Sequence, residues 1–96
     1  MTFENTKISS MNAMRTTFMF GKFTDTNFDK CYLDKCSFAN SELKNIYFRE
    51  STIIDTDFTE CKLENVHFVG CKLENVKFDE NVSSQTVFFG NKRFLQ

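Results

Sequence analysis

A large apolar residue stands at every fifth position from Phe18 to Phe78, without a miss. The series is Phe18, Phe23, Phe28, Leu33, Phe38, Leu43, Phe48, Ile53, Phe58, Leu63, Phe68, Leu73 and Phe78. About half of the residues in an average chain are apolar, so thirteen in a row by chance is roughly a one-in-ten-thousand event. The register extends backwards to Ala13, Ile8 and Phe3, and forwards to Ser83, Phe88 and Arg93. Two residues before each central position the chain is small or β-branched, as at Thr16, Gly21, Thr26, Cys31, Cys36, Ser41, Ser51, Thr56, Cys61, Val66 and Cys71. The intervening positions are mostly polar, and the hexapeptide CKLENV recurs after ten residues, at Cys61 and Cys71. A period of five matches neither the 3.6 of a helix nor the 2.0 of a strand. A helix would smear the Phe side chains around its circumference, and a flat strand would alternate them between faces. The chain must therefore turn once per repeat.

Segments such as Thr26-Asn27-Phe28-Asp29-Lys30 and Cys61-Lys62-Leu63-Glu64-Asn65 resemble the pentapeptide-repeat family: small residue, polar residue, central Leu or Phe, two polar residues. The resemblance runs from about Met1 to at least Phe88. It implies an all-β fold, a right-handed quadrilateral β-helix of about five coils, with four pentapeptides per coil. One domain over 1–96 is expected, with an irregular final coil over about 82–96. The small position is usually Ala in the family; here it is often Ser, Thr, Cys or Val, which predicts a slightly wider interior.

Grouping the central residues by twenty tests the four-repeat coil. One face then holds Phe18, Phe38, Phe58 and Phe78; another holds Ile8, Phe28, Phe48, Phe68 and Phe88. The other two read Phe3, Phe23, Leu43, Leu63, Ser83 and Ala13, Leu33, Ile53, Leu73, Arg93. Two faces keep Phe in every full coil while two take mostly Leu or Ile. A bare period of five does not require that; a period of twenty does. These side chains are expected to point inward and stack at the spacing of bonded strands. Asn5, Asp25, Asn45, Asn65 and Gln85 should form an outer polar column suited to turns and side-chain ladders.

Composition narrows the function classes. The net charge of −1 offers no footprint for direct nucleic-acid or membrane binding. Between Asp25 and Glu80 there are twelve acidic and seven basic residues, against one acidic and five basic outside it. The shaft is thus mildly acidic and the ends basic. The opening residues lack the apolar run of a secretion signal, so a cytoplasmic setting with reduced thiols is the expectation. Cys31, Cys36, Cys61 and Cys71 all occupy the small inward position, where free Cys packs as a small hydrophobe. No metal, disulfide or cofactor is expected. His67 is the only histidine and Asp55, Asp57, Glu60, Glu64, Asp79 and Glu80 alternate with Lys. Neither set forms a recognisable catalytic grouping, and no enzyme is expected.

A rod without a pocket acts through its surface. The reading is a non-catalytic binding or scaffold protein of unknown protein partner. Self-association as a homodimer is expected at a solenoid end, where Val87, Phe89, Phe94 and Leu95 replace outward polar residues; the N-terminal end, with Met1, Phe3, Met11 and Met14, competes. The family resemblance implies one alternative. Some members resemble duplex DNA in size and charge, bind DNA gyrase and protect it from quinolones.

Overall fold

The computed structural model describes residues 1–80 and 86–94, without the side chains of Arg93 and Phe94. Ser83, Gln85 and Leu95 lie outside the described residues. Strands β1 (Thr2–Glu4), β2 (Lys7–Ser9) and β3 (Asn12–Met14) make the first coil. In the second, β4 (Lys22–Asp29) bends across two sides and is followed by β5 (Tyr32–Asp34); β6 (Glu42–Arg49) with β7 (Thr52–Ile54), and β8 (Lys62–Val69) with β9 (Lys72–Glu74), repeat that layout. Strands β10 (Thr86–Phe89) and β11 (Lys92–Phe94) follow. The described residues thus form a β-solenoid of four complete coils with a partial fifth, rather than five full ones.

All pairings are parallel and offset by twenty residues: Phe23 with Leu43, Phe28 with Phe48, Leu33 with Ile53, Phe68 with Phe88 and Leu73 with Arg93. The fourth side is held by single bridges, Thr17 to Ser37 to Asp57 to Lys77. The square section comes from the corners. Every fifth residue from Asn5 to Asn75 has a positive φ, between 48° and 64°. A non-Gly residue in this left-handed region costs about 1–2 kcal/mol. Asn and Asp tolerate it best, and they occupy Asn5, Asp25, Asn40, Asn45, Asp55, Asn65 and Asn75. The remaining corners, Phe20, Lys30 and Glu50 among them, are held there by the ladder hydrogen bonds on either side.

The core is built from two phenylalanine ladders. Phe18, Phe38, Phe58 and Phe78 stack with ring centroids 4.7, 4.8 and 5.3 Å apart. Phe28, Phe48, Phe68 and Phe88 stack at 4.7, 4.8 and 5.3 Å. The ladders project from opposite sides of the square and meet edge to face, at 5.8 Å and 81° for Phe48 with Phe58 and 5.8 Å and 86° for Phe58 with Phe68. Aromatic pairs favour both arrangements, so each ring has parallel neighbours along the axis and perpendicular ones across it. Leu33, Leu43, Ile53 and Leu73 fill the other two sides and are buried.

Phe23 stacks on Phe3 at 5.1 Å and 2°, on a side that takes Leu in the third and fourth coils. The small position before it explains how it fits. A Cβ on Gly21 would lie 2.7 Å from Cε1 of Phe23 and 3.0 Å from the Phe18 carbonyl oxygen. Glycine makes room for the ring, and the two residues form one packing unit.

Two stability outcomes follow. Phe58→Ala removes a ring with four aromatic neighbours and should cost about 3–5 kcal/mol by denaturant titration, as for a core aromatic truncated to a cavity; wild-type stability would contradict the ladder. Gly21→Ala should cost about 1–3 kcal/mol by overpacking, and much of that loss should be recovered in the Phe23→Leu background. Equal losses in both backgrounds would show that Phe23 is not what the methyl group meets.

Candidate functional site

The small inward positions do more than leave space. The cysteines and Ser51 there donate hydrogen bonds to carbonyls of the preceding coil. Cys71 Sγ donates to the Phe48 carbonyl (3.1 Å), Cys61 Sγ to that of Phe38 (2.9 Å), Cys36 Sγ to that of Ala13 (3.4 Å) and Cys31 Sγ to that of Ile8 (3.5 Å). Ser51 Oγ reaches the Phe28 carbonyl (3.2 Å) and also accepts the Cys31 backbone N–H (3.0 Å). Asn91 repeats both roles two coils up: its Oδ1 accepts the Cys71 N–H (2.7 Å) and its Nδ2 donates to the Phe68 carbonyl (2.8 Å). An unpaired buried backbone group costs about 1–3 kcal/mol. Ala at position 51 would remove the side-chain acceptor of the Cys31 N–H, and Ala at the cysteine positions could make none of the thiol contacts; hydrogen bonding accounts for Ser and Cys here better than a wider interior does.

The cysteines are therefore structural. Cys31, Cys36 and Cys71 are buried, whereas Cys61 is only partly so, which corrects the expectation that all four are shielded alike. Burial pushes the Cys31, Cys61 and Cys71 thiols above the ordinary range. Among the described residues no three His, Cys, Asp or Glu side chains gather to hold a metal ion.

The outer carboxylates are likewise engaged in holding the coil. Asp57 Oδ1 accepts from the Thr59 N–H (2.8 Å) and hydroxyl (2.7 Å), and Asp79 Oδ2 accepts from the Glu60 N–H (2.9 Å). Asp55 Oδ1 accepts from Asn75 Nδ2 at 2.7 Å. Glu64 faces Lys44 at 3.8 Å, an exposed pair of small energetic weight.

The most differentiated surface lies on the side formed by the second halves of β4, β6 and β8 and by β10. At its corner the expected polar column is a directed ladder. Asn65 Nδ2 donates to Asn45 Oδ1 (2.9 Å), and Asn45 Nδ2 donates to Asp25 Oδ1 (2.9 Å). His67 Nε2 lies 2.7 Å from Asn65 Oδ1; that carbonyl oxygen only accepts, so Nε2 carries the proton. The His67 ring stacks on Tyr47 at 4.4 Å and 7°, and the Arg49 guanidinium carbon lies 4.5 Å from the Tyr47 ring centroid. His67 is thus a fixed member of an array rather than an isolated surface group. Tyr47 and His67 present ring edges outward, because their faces are stacked along the solenoid axis.

Further along this side the polar character ends. Val69 is partly buried, while Val87 is 47% and Phe89 70% exposed. Both project from the lateral surface. Of the other residues expected in the self-association patch, Phe94 lies in β11 and only its backbone is described; Leu95 lies outside the described residues. At the N-terminal end Met1 and Met14 are exposed at 56% and 58%, but Ala13 and Phe18 of that coil are buried and Met11 packs against the core.

The family profile described as a pentapeptide repeat region matches residues 11–88. The chain belongs to the pentapeptide-repeat family. Its fold is similar to the crystal structure of a pentapeptide repeat protein from the Arabidopsis thaliana thylakoid lumen, at 21% identity and a TM-score of 0.62. The alignment covers 91% of this chain and 61% of that one, so this chain spans less than two thirds of that relative's length. Weaker likenesses link it to a pentapeptide repeat protein (Rfr23) from the cyanobacterium Cyanothece 51142, at 11% identity and a TM-score of 0.35 with 95% and 86% of the two chains covered. QnrB1, a plasmid-mediated fluoroquinolone resistance protein, aligns at 9% identity and 0.38 with 92% of each chain covered. At those scores neither bears on function. No curated protein matches the chain.

The raised thiols give a pH outcome. The folded chain keeps their protons at pH values where the unfolded chain releases them, at about 8.5. Stability is therefore fully present below that pH and falls as pH rises above it. Urea midpoints should be flat from pH 7 to 8 and drop from pH 8.5 to 10, and the drop should shrink in a Cys31→Ser, Cys71→Ser variant. An unchanged slope in that variant would assign the effect to other groups.

Proposed function

We propose that this chain is a non-catalytic scaffold that binds protein through its outer surface, and that it self-associates at its C-terminal coil. The observation that carries this reading is the exposure of Val87 and Phe89 at 47% and 70%, at positions where most of the lower coils carry polar side chains. An apolar patch on an otherwise polar surface marks an interface. The N-terminal coil competes, with Phe20 and Met14 exposed at 73% and 58%, but these stand on different sides of the square rather than beside each other on one strand, as Val87 and Phe89 do in β10.

A DNA-like surface for gyrase is not favoured. It needs a dense row of uncompensated negative charge, whereas Asp29, Asp55 and Glu64 face Lys7, Lys35 and Lys44 at 3.5, 4.0 and 3.8 Å. A reducing cytoplasm is the compartment this reading assumes.

Sedimentation over a wide concentration range tests the self-association. The weight-average mass of the parent should rise with concentration, and Phe89→Glu should weaken association roughly tenfold or more, as for loss of an aromatic anchor. A parent that stays monomeric at millimolar concentration overturns it.

A further inference from the structure

We draw no further inference here: the strongest candidate, the lateral surface patch of Tyr47, His67, Val87 and Phe89 on β6, β8 and β10, belongs to the surface already described, and nothing in the structure shows what covers it.

Discussion

Ring stacking along the solenoid axis sets the terms for the rest of this molecule. Hydrogen-bonded strands lie about 4.8 Å apart, and the Phe ladders repeat at 4.7 to 5.3 Å. The two spacings agree, so one geometry satisfies backbone pairing and aromatic packing together. It holds only if every coil contains the same number of residues. A single inserted residue would move a polar side chain into the ladder and a Phe to the outside. The twenty-residue offset seen in every pairing is the consequence of that intolerance.

Closing a coil in twenty residues imposes a corner every five, and the backbone pays in conformational strain. Most of the Asn residues at those corners offset that strain twice. They tolerate the left-handed region and they hydrogen-bond along the axis, as Asn45 and Asn65 do above Asp25. Inside the corners, carbonyls of one coil meet Cys, Ser and Asn donors from the next coil. The interior is thus apolar at the centre of each side and hydrogen-bonded at the corners that carry Cys, Ser or Asn.

The outward positions beside each central residue are under no such demand. They contribute little to the core, so their identity is free to vary from coil to coil. That freedom is where one pentapeptide-repeat chain differs from another. Here it yields alternating charge on one side and, on another, a passage from Asn27 and Asp29 through Tyr47 and His67 to Val87 and Phe89. The rigid coil holds these side chains in two straight rows.

Periodicity determined a turn in every repeat, the twenty-residue coil, the two Phe ladders and the Asn column, because a side chain's direction in this fold depends only on its place in the five-residue repeat; the family resemblance supplied the β-helix. The number of complete coils was less legible, since the register of central residues weakens at Ser83 and Arg93. Three features needed the tertiary structure. Gly21 looked like an ordinary small residue until the coil brought Phe23 against it. The inward cysteines looked like fillers until the preceding coil placed carbonyls within reach of their thiols. Tyr47, Arg49 and His67 looked unrelated, because residues twenty apart in sequence become neighbours only when two coils stack. A local repeat fixes which way each side chain points; what it meets there is decided by the chain one turn away.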